Sequence, residues 1–270
     1  MPVITLLTDF GNQDTYVGVM KGVIAGICPD ARIIDLTHAI PPQDIAAARF
    51  TLLNAYPYFP DGTIHTVVVD PGVGTLRRAV AVQTANGYLV GPDNGVLSGV
   101  VSQMGAIAAV SLSNPTYWCT SQPSQTFHGR DIFAPVAAHL AAGVSLSQLG
   151  TPIALDSLVQ HAPPIPQIQA NSAIGHVQYI DHFGNLITTL PENLLQQGSW
   201  IGRVGKTDIP VGKTYGDVEL GQAVAIAGSH GWVEIAVNGG SAQQQFSLKV
   251  GDEVQLYVSD RAVSLDEPTP

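Results

Sequence analysis

A chain of 270 residues is long enough to bury a substantial core, either in one large domain or in two. Its formal charge of -10, with Lys+Arg at 11 against Asp+Glu at 21, leaves no basic stripe for a phosphate backbone, so a nucleic-acid partner is not expected and a cationic ligand suits the chain better. No apolar run approaches the ~20 residues of a membrane helix, and the N-terminus meets Asp9 after too short an apolar stretch for a leader, so a soluble, cytoplasmic protein with no membrane partner is expected.

Val3 to Thr8 reads as a buried first strand that turns at Asp9-Phe10-Gly11. Asp14 is positioned as the N-cap of a helix carrying Val17, Met20, Ile24 and Ile27 at helical spacing, which Pro29 stops. Arg32 to Leu36 gives a second strand, Pro41-Pro42 primes a helix towards Tyr56, and Ile64 to Val69 gives a third strand. This alternation predicts a mostly parallel, Rossmann-like central sheet.

The third strand delivers Asp70 onto a turn of Pro71, Gly72 and Gly74, followed by Arg77 and Arg78. Ala79 to Gln83 and Tyr88 to Val90 form a hairpin through Asn86-Gly87, and a helix around Leu97 to Val101 and a strand from Ile107 to Leu112 follow. A polar loop then leads through FHGRD to a helix from Ile132 to Ala142 closed by Gly143.

The prolines of HAPPIPQIQ favour an extended connector, so the expected division is an α/β domain at 1–155, a linker at 156–170, a small all-β barrel at 171–262 and a loose tail at 263–270. The barrel is expected from short β-like runs: Gly175 to Ile180, Leu186 to Leu190, Ala223 to Ile226, Trp232 to Val237 and Glu253 to Val258. Asn238-Gly239 reads as a hairpin turn.

Several motifs exclude as much as they suggest. TDFG at Thr8 to Gly11 shares its letters with the kinase magnesium motif, but no Gly-rich loop precedes it. GVGT at Gly72 to Thr75 lacks the ending of a phosphate loop. The histidines form no metal-binding spacing, and Cys28 and Cys119 lie far apart, so neither metal nor disulfide framework is expected. Asp9, at a strand end, reads either as a turn cap or as a carboxylate accepting from both hydroxyls of a ribose diol.

The ordered set TDFG, DPGVGTLRR, GPDNG, TFHGRD, DHFGN and GSHGWVEIAVNGGSA resembles the S-adenosylmethionine hydroxide adenosyltransferases, relatives of fluorinating and chlorinating enzymes that attack the same substrate. The resemblance spans Val3 to about Tyr257 and implies an α/β domain joined to a small β-barrel, assembled as a homotrimer with sites at subunit interfaces. It implies hydrolysis of S-adenosylmethionine to adenosine and methionine by attack of water or hydroxide on ribose C5', with no cofactor. The family triad falls on Asp70, Arg77 and His128, with the roles of Asp70 and His128 on the water left open.

By the same resemblance, Asp9 holds the ribose hydroxyls, Asp14, Thr15 and Tyr16 line the N-terminal side, and Phe127 and Gly129 flank the ribose. Asp181 pairs with the methionine ammonium, Ser229 and His230 reach its carboxylate, and Asn185, Asn238 and Gly239 approach adenine. Phe183 and Tyr215 are stacking faces.

The chain departs from the halogenating branch at three places. Asp70 stands where those relatives have Tyr, Ala85-Asn86-Gly87 replaces a long insertion, and His230 replaces an Arg. A carboxylate beside the reacting carbon repels a halide, so hydroxide is favoured. Two other readings stand beside this one: a binding module without turnover, and a halide-using adenosyltransferase.

Overall fold

In the computed structural model, which describes residues 1–196 and 198–258, the chain divides into two units, Met1–Ala162 and Pro163 onward. The expected loose tail at 263–270 lies outside the described residues. Among the described residues, no helix is long and apolar enough to cross a membrane.

The first unit runs β1 (Val3–Thr8), α1 (Tyr16–Ile27), β2 (Arg32–Thr37), α2 (Ile45–Ala55), β3 (Thr63–Val68), β4 (Ala79–Gln83), β5 (Gly87–Pro92), α3 (Ser98–Met104), β6 (Ala108–Ser111), α4 (Ala134–Ala141) and β7 (Thr151–Pro152). The strands form one sheet in the order β2-β1-β3-β5-β4-β6-β7. The expected mostly parallel sheet is corrected to a mixed one. Pairings β1/β2, β1/β3 and β3/β5 are parallel, but β4/β5, β4/β6 and β6/β7 are antiparallel. The Asn86-Gly87 turn reverses the chain and fixes that half of the sheet.

Every residue of β3 is buried, as a strand covered on both faces requires. On one face Ile4 and Leu6 meet Met20 and Ile24 of α1 and Phe133, Ala134 and Ala137 at the start of α4. The other face carries His65, 2% exposed, with Nδ1 2.9 Å from Thr5 Oγ1 and its ring against Tyr56 and Phe59.

Local ends differ from the sequence expectation. Asp14 does not cap α1; Thr15 holds the N-cap position without a side-chain bond. Asp44, not Pro41-Pro42, starts α2, accepting from the Ala47 N–H at 2.9 Å. The helix expected from Ile132 begins earlier, as a π-turn over Gly129–Phe133 that runs into α4.

The second unit contains β8 (Gln167–Ile168), β9 (Ser172–Ile180), β10 (Leu186–Pro191), β11 (Trp200–Val204), β12 (Thr207–Pro210), β13 (Ala223–Ala227), β14 (Trp232–Val237), α5 (Ala242–Phe246) and β15 (Glu253–Val258). Its sheet runs β12-β11-β15-β9-β10-β14-β13 with antiparallel neighbours, and β8 pairs with β9. A bridge from Val211 to Ala225 brings the two ends together, giving a nearly closed barrel around Val177, Leu186, Ile209, Ile235 and Leu256. Sequence reading did not mark β11 and β12. The β13/β14 hairpin turns at Gly228–Gly231, not at Asn238-Gly239, which leads into α5.

Burial lowers the His65 pKa from 6.5 to about 4. The unfolded chain therefore takes up a proton near pH 6.5 that the folded chain refuses until about pH 4, so this stabilising contribution is present above pH 6.5 and is lost on acidification. Urea unfolding across this range should show a loss of about 3 kcal/mol assignable to His65. His65→Asn, which keeps a partner for Thr5, should flatten the profile by that amount.

Candidate active site

Three neighbouring parallel strands end together. Register pairs Leu7 with Thr37 and Thr8 with Val68, so the residues after β2, β1 and β3 emerge side by side at one sheet edge. The chain leaves β1 for β2 on one side and then crosses to β3 on the other, so the strand order reverses beside β1. Such a switch point leaves a crevice at the carboxyl ends of the strands, and Asp9 and Asp70 stand on its two sides.

Asp70 is fixed by Arg77. The guanidinium donates from Nε to Oδ1 at 2.8 Å and from Nη2 to Oδ2, a two-pronged fork on a carboxylate whose side chain is 5% exposed. The loop between them is tight: Val73 N–H donates to the Asp70 carbonyl, and Thr75 Oγ1 donates to the Gly72 carbonyl at 2.7 Å. Gly74 has φ +75, and a Cβ there would lie 2.3 Å from the Gln125 carbonyl oxygen, so only glycine allows this loop to lie against residue 125. Arg77 also stacks 5.2 Å from the Phe133 ring centroid.

The same Arg77 Nη2 lies 2.8 Å from His128 Nδ1. Guanidinium only donates, so Nδ1 accepts and the ring is assigned as the neutral Nε2–H tautomer. Burial, and then the Arg77 charge, lower the His128 pKa against the opposing pull of Asp70 and Asp131. His128 is held by its own loop: Asp131, 1% exposed, accepts from Ser124 N–H at 2.7 Å and pairs with Arg130 at 2.6 Å. The π-turn just after it is a frequent device at functional positions.

These groups open on a cavity of about 400 Å³ lined by Asp9, Phe10, Tyr16, Pro42, Gln43, Val68, Asp70, Pro71, Val73, Thr126, Phe127, His128 and Gly129. Phe10, Tyr16 and Phe127 form a ring cluster with centroids 5.1 to 5.9 Å apart along its wall. Gly129 fits because a Cβ would press within 3.1 Å of Met20 Sδ and 3.2 Å of Phe127. Asp9 Oδ2 accepts from the Gln43 N–H at 2.8 Å, and Gln43 holds a φ of 67 to present it.

Of the residues expected in this half, Asp9, Tyr16, Asp70, Phe127, His128 and Gly129 line the cavity, with Arg77 behind Asp70. Asp14 and Thr15 are exposed and do not line it. Arg78 pairs instead with Asp93, Nε to Oδ2 at 2.8 Å, and binds Ser157. Sequence reading did not single out Pro42, Gln43, Val73 or Thr126. The Pro41-Pro42 pair signalled only the start of a helix, and nothing local signals that the chain beside it folds back onto Asp9.

In the second unit Asp181 closes a turn. Its Oδ1 accepts from the Phe183 and Asn185 N–H groups at 2.9 and 2.8 Å, and Oδ2 accepts from Asn185 Nδ2 at 2.9 Å. Gly184, at φ +83 and against Ser241, admits no side chain, while Phe183 projects 73% exposed. Glu234, 5% exposed and not singled out from the sequence, joins two expected residues: Tyr215 Oη donates to Oε1 at 2.9 Å, and His230 Nε2 lies 3.2 Å from Oε2. Burial and then the Glu234 bond push the Tyr215 hydroxyl up to about 12. Ser229 is exposed, and Asn238 Nδ2 donates to the Val218 carbonyl at 2.7 Å beside Gly239 at φ +69. Among the described residues, no group of three or more His, Cys, Asp or Glu is arranged to hold a metal.

Family models described as the SAM hydroxide adenosyltransferase N-terminal and C-terminal domains match residues 4–150 and 175–255. The chain is 40% identical over 256 residues to an (R)-S-adenosyl-L-methionine hydrolase of Salinispora arenicola, covering 94% of this chain and 97% of that one. It is 40% identical over 264 residues to the (R)-S-adenosyl-L-methionine hydrolase of Thermus thermophilus, covering 95% and 100%, and 30% identical to a fluorinase of Nocardia brasiliensis, covering 95% and 97%. The crystal structure of an uncharacterized conserved protein from Thermotoga maritima superposes with a TM-score of 0.88 at 40% identity, covering 94% of this chain and 99% of that one.

Removing one partner of a buried ion pair leaves an uncompensated charge, which costs about 3–5 kcal/mol. Arg77→Ala should therefore lower stability by that amount in denaturant titrations. Combining it with Asp70→Ala should give a loss well below the sum of the single losses, and additive losses would show that the two groups do not depend on each other.

Proposed function

The chain belongs to the S-adenosylmethionine hydroxide adenosyltransferase family, and we propose from this membership that it hydrolyses S-adenosyl-L-methionine to adenosine and L-methionine, with water or hydroxide attacking ribose C5'. The observation that carries the mechanism is the Arg77 fork on Asp70 with His128 beside it at the cavity wall.

The chemistry suits such a site. An anionic nucleophile meeting a sulfonium loses charge on the way to the transition state, so a walled cavity that strips water from both assists the reaction. The leaving thioether is neutral and needs no acid. Water is the weak component. Asp70, with its two oxygens held by Arg77, keeps lone pairs to accept from a water and aim it in line with the breaking bond, and neutral His128 offers a second polar contact. The Arg77 charge is already matched by Asp70, so the uncompensated charge at the cavity is that of Asp9, which suits a cationic substrate.

In this reading Asp9 takes the ribose hydroxyls, Tyr16 and Phe127 pack against the nucleoside, and Gly129 admits it closely. The methionine and adenine contacts fall to Asp181, Asn185, Tyr215, Ser229, His230, Asn238 and Gly239, with Phe183 as a stacking face and Asp14 and Thr15 on the N-terminal side, outside the cavity lining. A cytoplasmic homotrimer with no bound cofactor completes the proposal. A native mass three times the 28.3 kDa chain would support the assembly, and a monomer would overturn it.

Incubation with S-adenosylmethionine in oxygen-18 water, followed by mass spectrometry, should give equal adenosine and methionine with the label in the adenosine 5'-hydroxyl. Unlabelled adenosine would refute attack at C5', and a 5'-halo-adenosine on adding chloride or fluoride would identify a halide-using enzyme. Asp70→Ala should lower turnover by about 100-fold or more. The rate should hold through neutral pH and fall only below the lowered His128 pKa, because protonating Nδ1 breaks its contact with Arg77; a fall centred above pH 6.5 would refute this.

A further inference from the structure

Beneath the Asp9 turn lies a chain of polar groups that the reaction just described does not use. His38 directly follows β2, and its side chain is 4% exposed. Its Nδ1 lies 2.9 Å from Thr8 Oγ1, and its Nε2 lies 3.1 Å from Asp35 Oδ1, at ion-pair distance though too oblique for a straight hydrogen bond. Asp35 Oδ2 in turn accepts from Lys21 Nζ at 2.6 Å. Burial raises the Asp35 carboxyl, but the Lys21 bond and the His38 imidazole facing it outweigh that and hold the group below its ordinary range.

With Asp35 facing Nε2, the ring is assigned with its hydrogen there, which leaves Nδ1 as an acceptor. The Thr8 hydroxyl must then donate to Nδ1, which directs its lone pairs at the Phe10 N–H, 3.2 Å away. Residue 38 grips the turn a second time through its backbone, whose carbonyl accepts from the Gly11 N–H at 2.8 Å. The Asp9-Phe10 turn is thus clamped on both sides to one residue that does not itself line the cavity.

We propose that His38 is a positioning residue, which aims the Asp9 carboxylate at the substrate's ribose diol through Thr8 and the Phe10 N–H. This rests on the reading of Asp9 as the diol acceptor. The buried imidazole works here as a shaped two-ended connector. Its outer end is oriented by Asp35 and Lys21, and its inner end sets the hydroxyl that orients the turn.

The test compares binding of adenosine with binding of 2',3'-dideoxyadenosine, measured by calorimetry on the full chain. The unaltered protein should prefer adenosine by about ten-fold or more, and Asp9→Ala should remove the preference. His38→Gln, whose amide reaches the Nε2 position but not Thr8, should shrink the preference to under about three-fold. His38→Asn, whose amide reaches the Nδ1 position, should restore most of it. Melting curves establish that each variant is folded, and Asp35→Asn at the half-exposed outer end provides a milder variant with an intermediate preference. Full preference in folded His38→Gln, or equal weakening of both nucleosides, would overturn the proposal while leaving Asp9 in its role. No preference in the unaltered protein would overturn the diol reading and the proposal together.

Discussion

A carboxylate buried to 5% exposure at the end of a central strand persists only if something matches its charge, and most of the first unit's local architecture follows from supplying Arg77 to Asp70. The chain must double back within seven residues, which requires the left-handed Gly74, the tight Gly72 and the Thr75 bridge. The guanidinium must be roofed, which Phe133 provides, and the second hydrogen of the Nη2 that grips Asp70 goes to His128 Nδ1. His128 reaches that position because Asp131, itself buried and paired, pins the preceding loop. One ion pair thus couples the β3 turn to the start of α4.

The second constraint is topological. Parallel strands expose their carboxyl ends on the same edge, and reversal of strand order beside β1 leaves space there that side chains alone do not fill. The turn there is fixed by hydrogen bonds: the Asp9 carboxylate accepts from the Gln43 N–H, the Phe10 N–H donates to the Thr8 hydroxyl, and the Gly11 N–H donates to the His38 carbonyl. Acidic groups fixed in this way need not reorganise when a cation arrives, which is what makes such a crevice effective for charge-dependent chemistry.

Much of this was legible in the chain. The strands Val3 to Thr8 and Trp232 to Val237 and the Asn86-Gly87 hairpin rest on local periodicity and turn chemistry, which act within a few residues. The motif pair DPGVGTLRR and TFHGRD marked Asp70, Arg77 and His128, although the choice of Arg77 over Arg78 came from family resemblance and not from spacing. What failed was non-local. Asp14 has the chemistry of a cap, yet Thr15 takes that position, and Pro41-Pro42 forms the lead-in whose next turn, at Gln43, returns to Asp9. Glu234 read as one polar residue on a strand; its burial between Tyr215 and His230 depends on the hairpin that turns at Gly228–Gly231.

The sequence by itself determined the alternation of elements in the first unit, the β character of the second, the acidic balance and the family. These are properties of composition, periodicity and short motifs, and they survive without knowing what touches what. Tertiary structure decided the pairings: how Arg77 grips Asp70 and His128 at once, which backbone N–H meets Asp9, and that a histidine in a plain strand-end sequence, His38, lies under the turn. Those outcomes are set by parallel register between strands tens of residues apart and by hydrogen bonds that form only once burial makes leaving them unmade costly.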